Sequence, residues 1–315
     1  MGNSVPMRDG YGKALLELCG KNDKVMVLDA DVAKSTRTVW IRDKYPEKFM
    51  DMGVSEQDMV GTAAGLALSG MIPFVSTYCV FLAGRAWDQI RTTVCYNDLN
   101  VKLAGAHAGI SVGPDGATHQ SLEDVALTRV LPRMTVIVPC DAEETRKATL
   151  AVAERPGPCF IRFGREAVPV ITDESTPFEI GRARLCREGK DAAILANGAM
   201  VHEAMEAAEL LAGEGVSVRV LDVHTVKPLD EDAVIAAARE TGCVVTAEEH
   251  QINGGLGGAV AEVLARHCPA PMEMVAVNDS FGESGQPQEL MDKYGLNRHA
   301  IAEKVKAVLL RRQGE

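Results

Sequence analysis

The sequence predicts an α/β fold of two doubly wound domains, each built on a mostly parallel sheet. Three observations lead there. Short apolar runs of strand length alternate with longer segments of helical period. Such alternation gives parallel strands joined by crossover helices, with helices covering both faces of the sheet. The alternation breaks once, between Arg165 and Lys190, where Pro169, Asp173, Glu174, Ser175, Thr176 and Pro177 form a polar, proline-bearing stretch. At 315 residues the chain has room for about two domains. The expected division is a first domain over 1–168, a linker over 169–189 and a smaller second domain over 190–315.

In the first series, Tyr11 to Cys19 reads as a helix and Val25 to Leu28 as a strand. Glu56 to Leu68 is helical, Ile72 to Val75 a strand, Phe81 to Tyr96 helical and Val101 to Ala104 a strand. Leu122 to Val130 is helical and Thr135 to Val138 a strand. Ala142 to Ala153 is a helix, for which Asp141 and Glu144 make a capping box. Cys159 to Phe163 closes the series as a strand. The second series runs Ala192 to Ala196 (strand), Met200 to Leu211 (helix), Val216 to Val223 (strand) and Asp230 to Ala238 (helix). It continues with Val244 to Thr246 (strand), Leu256 to Arg266 (helix), Met272 to Val277 (strand) and two C-terminal helical patterns.

A net charge of −11 argues against a nucleic-acid or anionic-membrane surface, since both want clustered Lys and Arg. It leaves room for an anionic small substrate, for which a few local arginines suffice. The eight cysteines show neither Cys-x-x-Cys nor a zinc-ligand spacing, so no metal site is expected. Cys140, Cys159 and Cys243 lie in apolar runs, as buried reduced thiols do. Met1 to Lys13 is polar and glycine-bearing, unlike a signal peptide, and no apolar run approaches the ~18 residues of a membrane span. A cytoplasmic protein is expected.

The segment richest in chemistry is Gly105 to Gln120, with two histidines, one aspartate and four glycines. It follows a strand of the first sheet, and open α/β sheets bind ligands beyond the carboxyl ends of their strands. Pro114-Asp115-Gly116 alone would be a turn. Together, His107, Asp115 and His119 are candidates for contacts to substrate hydroxyls or for proton transfer. Glu56, in Gly53-Val54-Ser55-Glu56-Gln57, has two readings: an acid complementing a helix N-terminus, or a partly desolvated carboxylate able to share a proton with a ring nitrogen. The small residues Gly61, Ala63, Ala64, Gly65 and Ala67 on its helix allow another backbone to come close. Tyr78 and Phe81, three apart, either pack in the core or form a flat wall for an aromatic ring. Arg162 and Arg165 end a strand, as a solvated charge pair or as phosphate contacts, and Ser35 follows another strand. Gly254-Gly255-Leu256-Gly257-Gly258 reads as a tight start to a helix, because it lacks the spacing of a nucleotide fingerprint.

Gly-Val-Ser-Glu-Gln, Thr-Tyr-Cys-Val-Phe, His107 and the Asp-Gly-Ala-Thr-His-Gln run together resemble the transketolase family, over nearly the whole length of the chain. Asp222-Val223-His224-Thr225-Val226-Lys227-Pro228-Leu229-Asp230 resembles the family's C-terminal domain. The resemblance implies a pyrimidine-binding domain followed by a C-terminal domain. It implies thiamine diphosphate as cofactor, and transfer of a two-carbon unit from a ketose to an aldose, both as sugar phosphates. By it, Glu56 matches the glutamate bonded to the aminopyrimidine, and Tyr78 and Phe81 match the aromatics stacked on it. His107, Asp115 and His119 match substrate contacts, Arg165 and Ser35 phosphate contacts, and Asp31 a cofactor-side aspartate. His107 and His119 join Glu56 as the expected catalytic residues.

The sequence also departs from the family. It has no Gly-Asp-Gly, the family's metal-binding signature. The resemblance therefore implies a split enzyme, in which a separate N-terminal subunit holds the diphosphate through Mg²⁺ or Ca²⁺. This chain would dimerise within an α₂β₂ assembly. Arg85 resembles an arginine of deoxyxylulose-phosphate synthases, which leaves that chemistry open. A 2-oxo acid dehydrogenase β subunit and a non-catalytic scaffold stay open beside it.

Overall fold

The computed structural model describes residues 3–314; Met1, Gly2 and Glu315, the outer ends of the two expected domains, lie outside the described residues. The first half of the chain carries strands β1 (Ser4–Pro6), β2 (Val25–Asp29), β3 (Phe49–Asp51), β4 (Ile72–Tyr78), β5 (Lys102–Ala106), β6 (Thr135–Ile137), β7 (Cys159–Arg162) and β8 (Ala167–Pro169). The second half carries β9 (Arg184–Arg187), β10 (Ala192–Ala196), β11 (Val218–Asp222), β12 (Thr225–Lys227), β13 (Val244–Gln251) and β14 (Met272–Val277).

Two large sheets result. The first has the order β12-β6-β7-β5-β4-β2-β3 and the second β14-β13-β10-β11-β9. Pairing is parallel within each except at one edge strand, β12 in the first and β9 in the second. Strands covered by helices on both faces must be apolar throughout, and every residue of β10 is buried. The Glu56–Leu68 helix and the strands Ala192–Ala196 and Met272–Val277 occupy their expected bounds.

The differences have local causes. The helix expected over Phe81 to Tyr96 is a helix Cys79–Arg85 followed by a π-helical turn Gln89–Cys95. Apolar periodicity does not separate a 3.6-residue turn from this wider one. The segment expected as linker carries β9, four residues whose partner is β11 and whose sequence is too short to show a period. Strand β12 comes from the second half of the chain but pairs with β6 of the first sheet, Thr225 opposite Ile137. Asp141 does cap the helix Ala142–Glu154, accepting from Glu144 N at 2.8 Å, but the return arm of Glu144 takes Cys140 N instead. At the Gly254–Gly258 run, Glu248 accepts from Leu256 N and Gly257 N at 2.7 and 2.8 Å. A carboxylate thus fills the place an anion would take, in keeping with a tight helix start.

Arg162 is not a phosphate contact. It is buried, and its Nε donates to Asp124 at 2.8 Å, while Nη2 donates to the carbonyl of Glu249, on β13, at 2.5 Å. It ties the end of β7 to the second half of the chain. Removing one member of a buried ion pair leaves a charge without a partner, so Arg162→Ala should lose about 3–5 kcal/mol of stability. Chemical denaturation of the chain checks this; a loss under about 1 kcal/mol would mean that Asp124 and the Glu249 carbonyl find other partners.

Candidate active site

Strands β3, β2, β4, β5 and β7 run parallel, so their carboxyl ends share one edge. Each delivers a candidate residue there. Glu56 follows β3, Asp31 and Ser35 follow β2, Tyr78 ends β4, His107 follows β5 and Arg165 follows β7.

Glu56 is the first residue of its helix and is only 2% exposed. Its Oε2 accepts from Arg85 Nη1 at 2.8 Å. The same guanidinium lies over Phe81, 4.5 Å from the ring centroid, and the Arg85 carbonyl accepts from Gln57 Nε2 at 3.1 Å. Ala63 and Ala64 of this helix pack into the core, whereas Gly61 and Gly65 are exposed and have open space where a side chain would stand. Close approach of another backbone along the helix is therefore not made within this chain.

Tyr78 stacks on His107 at 4.8 Å between ring centroids, and His119 meets Tyr78 and Phe81 edge-on at 5.9 and 5.2 Å. The two aromatics serve a wall of rings rather than a sealed core. His107 is 4% exposed and takes a left-handed backbone, φ 56°, directly after β5. Its Nε2 lies 3.3 Å from Arg8 Nη1, which can only donate, so the ring proton belongs on Nδ1. That Nδ1 is buried and has no hydrogen-bond partner among the described residues. Burial, with Arg8 and Arg165 nearby, pushes His107 down to about 3, so the imidazole stays neutral at ordinary pH.

Arg8 escaped the sequence reading, where it was one cation in a polar N-terminal stretch. Its Nη1 also donates to the Ser35 carbonyl at 3.3 Å, and Ser35 Oγ shares a hydrogen bond with Tyr78 OH at 3.1 Å. Arg165 donates to Asp115 at 3.1 Å and to the Val112 carbonyl at 2.9 Å. Ser35, Tyr78, Phe81, His107 and His119 thus belong to one network, which Arg8 helps to join and Glu56 enters through Arg85 and Phe81; the Arg165–Asp115 pair lies close enough for its charges to act on His107. Asp31 stands outside the network: it is exposed, and among the described residues only its backbone bonds, to Asp51 at 3.1 Å. Asp29 stands behind it, buried, accepting from Val32 N, Thr36 Oγ1 and Thr38 Oγ1 at 2.7–2.8 Å. Burial raises its carboxyl to about 6 despite those bonds.

The 109–120 loop is shaped from behind by the second half of the chain. Glu249 accepts from Ser111 N at 2.6 Å, and Gln120 Nε2 donates to the Glu283 carbonyl at 2.9 Å. Gly109 combines φ +89° with a position where a Cβ would fall 2.2 Å from Glu249 Oε1; only glycine allows that approach.

Comparison with known proteins identifies the two domains. Residues 3–170 match the transketolase pyrimidine binding domain, and residues 181–301 match the transketolase C-terminal domain. A putative transketolase C-terminal section of Methanocaldococcus jannaschii is 43% identical, over 95% of each chain. A 6-deoxy-6-sulfo-D-fructose transketolase subunit of a Clostridium species is 44% identical, over 94% of this chain and 92% of its own. A solved structure described as a split gene transketolase, inactive β4 tetramer, superposes with a TM-score of 0.90 at 47% identity, over 98% of this chain and 99% of that one. The chain belongs to the transketolase family, of which it carries the pyrimidine-binding and C-terminal domains.

Proposed function

We propose that this chain is the C-terminal subunit of a split transketolase. With a separate N-terminal subunit it transfers a two-carbon ketol unit from a ketose to an aldose, both bearing an anionic terminal group. The observation that carries this reading is the buried Glu56 carboxylate, joined through Arg85 to the Phe81–Tyr78 pair of rings, on the same strand edge as His107, Asp115, His119 and Arg165. That set of residues fits the pyrimidine half of thiamine diphosphate: a buried carboxyl group to share a proton with a ring nitrogen, and aromatic faces for stacking.

When bound, the cofactor supplies the electron sink for cleaving the bond beside the ketose carbonyl. Glu56 would share a proton with a ring nitrogen of the aminopyrimidine through Oε1, while Arg85 holds Oε2. The neutral His107 offers its Nδ1–H to a substrate oxygen, and His119 and Asp115 meet substrate hydroxyls. Arg8, Arg165 and Ser35 receive the terminal anion, a phosphate or the sulfonate that the name of one relative carries. Asp31 lies on the cofactor side. The N-terminal subunit brings the diphosphate site with its Mg²⁺ or Ca²⁺ and covers Val54, which is 70% exposed two residues before Glu56. In the active enzyme this chain pairs with itself inside an α₂β₂ assembly; the β4 tetramer named for a relative of known structure supports the self-association alone. Eight free cysteines, most of them buried, suit the cytoplasm.

Calorimetric titration with thiamine diphosphate and Mg²⁺ tests the division of labour. The chain alone should bind weakly, and the chain with its N-terminal partner tightly; tight Mg²⁺-dependent binding by the chain alone would end the split-site reading. Glu56→Ala should lower kcat of the reconstituted enzyme by about 10²-fold or more at an unchanged melting temperature. Retained activity would remove Glu56 from the mechanism. His107 gives a pH signature. Its folded value is depressed to about 3 from 6.5, so the stability it contributes is present above 6.5 and is lost as pH falls from there through 3. His107→Asn should therefore flatten the acid side of the stability curve, by about 1.4 kcal/mol per pH unit below 6.5. Equal slopes in the two proteins would show that His107 is protonated in the fold.

A further inference from the structure

We propose that Glu144 and Asp222 share one proton where the two sheets meet, and that this proton latches the second half of the chain to the first. Glu144 lies in the first turn of the helix Ala142–Glu154, and Asp222 is the last residue of β11. Both are at most 2% exposed. Glu144 Oε2 accepts from Cys140 N at 2.7 Å, and Asp222 Oδ2 accepts from Arg184 Nη2 at 2.9 Å. The second oxygen of each, Glu144 Oε1 and Asp222 Oδ1, is buried with no partner among the described residues. A carboxylate oxygen from each lies within 4.8 Å of the other and of Cys140 Sγ.

Two acceptors cannot satisfy one another, and two buried anions so close repel strongly. One proton between them supplies the missing donor to both and leaves a single negative charge for Arg184. The groups facing the pair agree with that balance. Arg184 and Cys186 come from β9, Cys140 and Asp141 from the turn before the helix, and His224 from the segment after β11. Asp141 is committed to Glu144 N, Ile171 N and Thr172. Burial keeps His224 neutral and pushes both thiols up, so none of these adds a cation. A divalent metal among Cys140, Glu144 and Asp222 would sit against the guanidinium of Arg184, which is 3.8 Å from Cys140 Sγ.

The location gives the proton its leverage. After Asp222 the chain leaves the second sheet, and β12 then pairs with β6 of the first. On the way, the His224 carbonyl accepts from Val138 N at 2.7 Å. Burial, and then the Asp222 charge, hold the Glu144 carboxyl well above its usual range. A raised folded value means that the stabilisation is fully present below 4.5 and is lost as pH rises from there through the raised value. Alkalinisation therefore loosens the crossing.

The test uses the full chain, alone. Melting temperatures of wild type, Glu144→Gln and Asp222→Asn are followed from about pH 5 to 9. The glutamine carries a permanent N–H for Asp222, so wild type should fall relative to Glu144→Gln by roughly 2–4 °C or more across that range. Difference infrared spectra at neutral pH should show a protonated-carboxyl C=O band in wild type that both variants lack. This second reading needs only one folded variant. Parallel melting curves, or no Glu144-dependent carboxyl band, overturn the shared proton. Stabilisation of wild type by added Zn²⁺ or Mn²⁺, absent in both variants, overturns it in favour of a metal site.

Discussion

Parallel pairing of β3, β2, β4, β5 and β7 is the constraint on which everything else in the molecule depends. A parallel strand delivers its last residue, and the loop after it, to the same edge as its neighbours. Residues as far apart in sequence as Ser35 and Arg165 therefore become neighbours without any long-range signal in the chain. An antiparallel sheet would have sent every second loop to the opposite edge. The antiparallel members, β12 and β9, stand at sheet edges, where they close a sheet without disturbing the common edge.

The second half of the chain shapes the site through its backing rather than its chemistry. Glu249 and the Glu283 carbonyl hold Ser111 and Gln120, the two flanks of the loop that carries Asp115 and His119. Arg162 anchors the same strand, β13, from the first half. The His107 ring is stacked on Tyr78 and bonded by Arg8, and its backbone sits in a left-handed conformation costing on the order of 1 kcal/mol. Such a conformation persists only where surrounding packing imposes it, and the strand end, the aromatic wall and the backed loop together do so.

The sheet elements were legible in the sequence because apolar strands and amphipathic helices leave periods that survive any tertiary context. So were Glu56 and the 109–120 loop, where residue types unsuited to a core cluster in a few positions. Three things were not. Strands β1, β3, β8, β9 and β12 have only three or four residues, and they exist because a partner strand waits for them. Arg162 and Arg165 look alike in sequence, and only the Asp124 carboxylate behind one of them separates a buried strut from a residue of the site. Arg8 lies in a stretch with no pattern, and its role follows from the distance to His107, which the sheet topology creates.

Charge at the site runs against charge in the whole. The protein carries −11, yet Arg8 and Arg165 stand near a histidine that they help to keep neutral. Arg8 is itself held below its ordinary range by burial and by the positive charges of Arg37 and Arg165. Like charges gathered in a partly desolvated place are unfavourable for the free protein and become favourable when an anion enters. A neutral sugar brings no such relief. On the proposed reading, the terminal anion of the substrate is then the group the strand edge is built to receive, and the sugar oxygens are placed relative to it by the unpartnered Nδ1–H of His107.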